Sequence, residues 1–161
     1  MHPDKTRRIE FGRFAEENRK RRGEGKPETF DFLGFTHLSG KNGLGRFTVR
    51  RTTIRKRMRG KLRQIGRQLR MRLQDPVPQT GKWLQTVVQG YFNYYAVPGN
   101  LTSLGNFRDR VMALWWRTLR RRSQRRSISW SRILALAEQW LPPPRALHPF
   151  PDAPFAATHL R

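Results

Sequence analysis

Apolar residues along this chain change their spacing once. Up to about residue 50 they recur at intervals of two, and from Thr53 onward at intervals of three and four. The first regime predicts strands. Residues 5–11, KTRRIEF, place Arg7, Ile9 and Phe11 on one face of a short strand. Residues 13–28 mix both charge signs with two glycines and a proline, a solvated loop with room for a short helix over Phe14 to Lys20. In TFDFLGFTH, residues 29–37, Phe30 and Phe32 fall on one side of a strand and Leu33 and Phe35 on the other, apolar on both faces. A turn follows at Ser39–Gly43, where Asn42-Gly43 tolerates the positive φ of a tight hairpin. The return strand, 45–50, turns Phe47 and Val49 one way and Arg46, Thr48 and Arg50 the other. A β-hairpin over 29–50 is expected.

The second regime predicts helices. Ile54, Met58, Leu62, Ile65, Leu69 and Leu73 form one stripe, stopped by Asp75-Pro76-Val77-Pro78. Thr80 is placed to cap a second helix, whose stripe is Trp83, Leu84, Val87, Val88, Tyr91, Phe92 and Tyr95. Val97-Pro98-Gly99-Asn100 breaks it. Thr102 or Ser103 caps a third, through Leu104, Phe107, Val111, Leu114, Trp115 and Leu119, which runs into an arginine cluster at 117–126. Ser129 opens a fourth through Trp130, Ile133, Leu134, Ala137 and Leu141, ended by three prolines. The expected fold is α+β: a short β-hairpin appendage over 1–50, a three- to four-helix bundle over 51–141, and a Pro-rich extended tail over 142–161.

Charge changes this picture most. Among 161 residues, 34 Lys and Arg face 11 Asp and Glu, a formal net charge of +23. A compact chain repels itself at such a charge, which points to a polyanionic partner. Arginine far outnumbers lysine and suits bidentate phosphate contacts and stacking on bases. Between Thr53 and Leu73 lie nine basic residues and no acidic one. Solvated helix faces normally alternate sign, because like charges at i,i+4 destabilise, so this face argues for phosphate contacts. Arg50, Arg51, Arg55, Lys56, Arg59, Lys61, Arg63 and Arg67, with Arg120, Arg121, Arg122 and Arg125 of the later cluster, are the candidate RNA-binding residues. The aromatics of the second helix are able to stack on bases, but their helical spacing favours core packing, as it does for Trp115, Trp130 and Trp140. Tyr94 lies off the stripe and is the surface aromatic.

Catalytic chemistry finds no foothold. There is no cysteine, and His2, His37, His148 and His159 lack metal-ligand spacing. No strand carries a close acidic pair for two metal ions, and no phosphate-binding glycine loop occurs. The expectation is a non-enzyme with no catalytic residues, metal site or cofactor, Mg²⁺ entering only with bound RNA. With no membrane-length apolar run and no secretory signal at MHPDKTRRIEF, a soluble cytoplasmic protein is expected; a basic membrane-surface protein is the competing reading.

HPDKTR at 2–7, FDFLGF at 30–35, the helix start Thr53-Ile54-Arg55 and GYFNYYAVPGN at 90–100, in that order, resemble the C-terminal part of bacterial group II intron reverse transcriptase/maturases. The resemblance implies that Pro3, Lys5 and Thr6 belong to the edge of a palm. It makes Phe32, Leu33, Gly34 and Phe35 a primer-grip-like hairpin, and the basic helices the thumb, or domain X. The family's catalytic aspartate motif, its fingers and most of its palm have no counterpart here, and no Cys/His endonuclease module follows. The implied function is to bind group II intron RNA and assist its splicing without polymerase chemistry. The alternatives are a basic structural RNA-binding protein of ribosomal type, a piece that complements a separately encoded reverse-transcriptase palm, and a decayed remnant.

Overall fold

A computed structural model of the chain describes residues 8–122 and 128–148. The fold is α+β, a three-stranded antiparallel sheet followed by helices. The chain divides into two compact units, Met1–Ile54 and Arg55–Arg161.

In the first unit, residues 8–11 form no strand, so the described part of the expected 5–11 strand is absent; its beginning, with Pro3, Lys5 and Thr6, lies outside the described residues. A short helix, α1 (Ala15–Arg21), takes up much of the expected loop. Arg22 beyond its end is paired with Glu10 and Glu24, and the Asn18 amide donates to Glu10 at 3.0 Å. The 29–37 segment is two strands, not one. β1 (Phe30–Phe32) and β2 (Phe35–Lys41) pair through Phe32 opposite Phe35, with Leu33 and Gly34 at the turn. Both turn residues have positive φ, 46° and 86°, the geometry that matches the right-handed twist of paired strands. Leucine visits that region at a cost of about 1–2 kcal/mol, so sequence propensity alone does not predict this turn. β3 (Phe47–Thr53) pairs with all of β2 and runs three residues beyond the expected end. The Asn42 side chain closes the second turn by accepting from the Leu44 and Arg46 amides, each at 3.0 Å. Phe30 stacks on His37 at 4.8 Å with Phe11 edge-on to it, and Phe35 is buried.

The second unit is a bundle of α2 (Arg55–Met71), α3 (Val77–Tyr95), α4 (Leu101–Arg120) and α5 (Trp130–Trp140). Its core holds the predicted stripes: Leu62, Ile65 and Leu69 meet Leu84, Val88 and Phe92, then Leu104, Phe107, Val111, Trp115 and Leu119. Two helix starts, and the buried face of α5, differ from expectation. α3 begins at Val77, with Pro76 as its cap residue and Pro78 in the first turn, where no N–H is required; Thr80 is a buried residue of the helix, not its cap. α4 begins after Asn100, whose buried amide donates to the Tyr95 carbonyl at 2.8 Å instead of capping. In α5, Ser129 caps as expected, accepting from the Arg132 amide, but Leu136 joins Ile133 and Ala137 inside while Trp130 and Leu134 are exposed. Trp130 is therefore no core residue; it lies edge-on to Trp116 at 5.2 Å. After α5 no further helix or strand occurs up to His148, and the Leu147 amide donates to the Ala96 carbonyl at the end of α3. Residues 149–161 of the expected tail lie outside the described residues.

Candidate nucleic-acid interface

α2 packs against α4, with Gly66 beside Leu114: an added Cβ there would sit in ordinary contact, 3.6 Å from the Leu114 side chain. Above this contact the helices leave a groove of about 670 Å³. Arg63, Arg67 and Arg70 line one wall, and Arg110, Arg117 and Arg121 the other. The periodicity explains both walls. Arg63, Arg67 and Arg70 are four and three residues apart on α2, and Arg110, Arg117 and Arg121 are seven and four apart over α4 and its end. No carboxylate lines the groove, and none of the six is ion-paired with a carboxylate among the described residues. Six guanidiniums facing one trough repel one another, and a string of phosphates relieves that repulsion.

The candidates read from the sequence divide by surroundings. Arg63, Arg67 and Arg121 are in the groove; Arg55, Lys56 and Arg59 are exposed elsewhere on α2. Lys61 is half-buried on the opposite flank, where α2 meets α3. Arg120 lies over the Trp116 ring at 5.0 Å. Arg122 turns away from solvent: its guanidinium donates to the Arg72 and Asp75 carbonyls, tying the end of α4 to the α2–α3 turn. It holds the fold together and is removed from the candidate interface. Arg125 lies outside the described residues. In the first unit, Arg50 is exposed on β3 and donates to the Lys41 carbonyl, while Arg51 is half-buried opposite His37. Phe32 and Leu33 project from the β1–β2 turn with Gly34 and Phe35 buried beneath, so this hairpin carries an apolar tip. Sequence reasoning missed Arg70 and Arg110 as contributors and did not single out Arg117 within its cluster; the signal was present, since Arg110 precedes Arg117 by two helical turns.

On the other flank of α2, a notch between α2 and α3 is lined by Arg57, Lys61, Thr86, Gly90, Tyr94 and Tyr95 among others. Burial pushes the Tyr95 phenol above its usual range, against the pull of Arg57, which hydrogen-bonds it.

Among the described residues, no group of three or more His, Asp or Glu is placed to hold a metal ion, and no helix is long and apolar enough to cross a membrane. Compared with known proteins, the chain matches no protein-family model, no curated protein and no solved structure.

Proposed function

We propose that this chain binds structured RNA through the α2–α4 groove and acts on group II intron RNA as a maturase-type splicing aid. The observation that carries the RNA reading is the groove itself, six arginines on two helix walls, none paired with a carboxylate among the described residues and with no carboxylate lining the groove between them. The intron assignment draws on the resemblance of FDFLGF and GYFNYYAVPGN to the intron-encoded maturases. Binding is the whole mechanism. The arginines neutralise phosphates that a compact RNA brings close together, so the protein favours the folded RNA by its greater affinity for it. The RNA performs the transesterification with its own Mg²⁺, and the protein supplies no catalytic group.

Affinity measured across a salt series tests this. Contacts from six arginines give a slope of log K against log salt of about −4 to −5.5. Neutralising one residue on each wall, Arg63→Gln with Arg117→Gln, lowers that slope by about two and weakens binding of all RNA sequences alike. Both side chains are exposed, so the melting temperature stays put. A slope unchanged by the pair removes the groove from the interface. Affinity for a folded group II intron should exceed that for an unstructured RNA of equal length; equal affinities would leave a general RNA-binding protein in place of a maturase.

A further inference from the structure

The end of α4 and the start of α5 bring two tryptophans together at the surface. Trp116 is half-buried against the core, and its indole Nε1 donates to the Ile128 carbonyl at 3.3 Å. Trp130 lies edge-on to it at 5.2 Å and is 48% exposed; Leu134, one turn further along α5, is exposed as well. The Ser129 cap, which accepts from the Arg132 amide, pins the backbone that carries Trp130. Arg120 stands over the Trp116 ring at 5.0 Å and is paired with no carboxylate among the described residues. Three residues earlier on α4, and so its neighbour on the helix surface, is Arg117 of the groove wall. The cationic track of the groove therefore continues around the end of α4 to an aromatic pair, and the groove itself has no aromatic lining.

From this arrangement we propose that the Trp130 indole stacks one unpaired base of a bound RNA, with Arg120 on the adjoining phosphate. The proposal rests on the RNA-binding reading above and adds a second contact of a different kind. Arginine walls follow a backbone whatever its bases do, whereas an indole at the end of the walls takes a base that has left its stack, as single-strand binders do. The edge-on contact with Trp116 restrains Trp130 in advance, so less freedom is lost when a base arrives. Stacking on a ring uses the face of a guanidinium and leaves its N–H groups for a phosphate. A second copy of the chain is a poor occupant, since it would bring its own net charge of +23 to the same arginines. An anionic membrane surface also fits less well, because the exposed face of α5 carries Glu138 and a single cation, Arg132.

The test compares the full-length protein's affinity for a short oligoadenylate with that for an abasic oligonucleotide of the same length. Trp130→Ala should weaken oligoadenylate binding about 5- to 150-fold, the range that stacking of one base supplies, and leave abasic binding unchanged. Retained abasic binding also shows that the variant is folded. Trp130→Phe keeps an aromatic face and should recover most of the affinity, whereas Trp130→Leu keeps apolar bulk without one and should not. Arg120→Gln, which removes a phosphate contact, should weaken both oligomers alike. Three results overturn the proposal alone: oligoadenylate affinity indifferent to Trp130→Ala, an equal loss on both oligomers, or full rescue by leucine. Binding to phosphatidylserine vesicles that Trp130→Ala abolishes, with oligoadenylate affinity intact, would likewise overturn it in favour of a membrane. If the wild-type protein binds neither oligomer at low salt, the RNA-binding reading falls with it.

Discussion

Gly81 and Gly90 lie in the same helix, yet a methyl group added at each should move stability in opposite directions. Gly81 is buried in the second turn of α3 beneath Trp140, the last residue of α5. An added Cβ would lie 2.6 Å from both Cγ and Cδ2 of that indole. Carbon atoms pack at about 3.5–4.0 Å, so the ring must retreat by roughly 1 Å. Cγ is the ring's attachment point, so rotation of a flexible end gives little relief and α5 itself has to shift. It resists, because Ile133 and Ala137 are buried and Arg108 donates to the Ala137 and Leu141 carbonyls. Overpacking of this kind costs about 1–3 kcal/mol, against about 1 kcal/mol that alanine gains over glycine in a helix. The balance for Gly81→Ala is a loss of about 1 kcal/mol. Gly90→Ala meets no neighbour and keeps a gain of about 0.5–1 kcal/mol. Thermal melts resolve this, since 1 kcal/mol moves the midpoint of a small domain by about 4–8 °C. Repeating Gly81→Ala in a Trp140→Leu background should recover the gain. If Gly81→Ala stabilises as much as Gly90→Ala, the close packing of α3 on α5 described here is wrong.

Two neighbouring arginines should separate fold from binding. Arg122→Ala removes a charged donor from two carbonyls of the α2–α3 turn and should cost about 1–3 kcal/mol, read by urea denaturation. Arg121→Ala should change stability by less than about 0.5 kcal/mol but weaken RNA binding, read by titration. In the first unit, Arg22 holds the Glu24 carboxyl below its usual range, and Arg22 with Asn18 does the same for Glu10. Groups with lowered folded values stabilise fully above the unfolded value of 4.5 and lose that contribution as pH falls through the folded value. Amide exchange in α1 should therefore quicken relative to β2 and β3 as the pH is taken below about 4.5, and an unchanged ratio would count against these pairs.

The helical bundle was legible because burial imposes its period on the sequence. Leu62, Ile65 and Leu69 are spaced by three and four because that spacing keeps them on the helix face packed into the core. The misreadings came where one residue type serves two ends. Pro76 and Pro78 look like breakers, but the first turn of a helix needs no N–H, so they begin α3 as readily as they end α2. FDFLGF reads as one apolar strand because its turn is made by Leu33, a residue that local preference assigns elsewhere. In α5, Leu134 and Leu136 are equally apolar, and only the direction of α3 and α4 decides which is covered. The groove was half legible: the charge on α2 shows in the sequence, but which arginines of α4 face it depends on how the helices pack.

That packing sets six like charges across a shared trough, so folding the bundle concentrates the repulsion that an extended chain disperses. Ions that screen the trough favour the folded bundle, and the same ions would compete with the RNA proposed to occupy it. Stability and affinity therefore answer salt with opposite signs. A bound polyanion escapes the conflict by neutralising the trough in the folded state alone, so occupancy and folding rise together. On the proposed reading, a bound RNA would hold the bundle together as much as any leucine in its core.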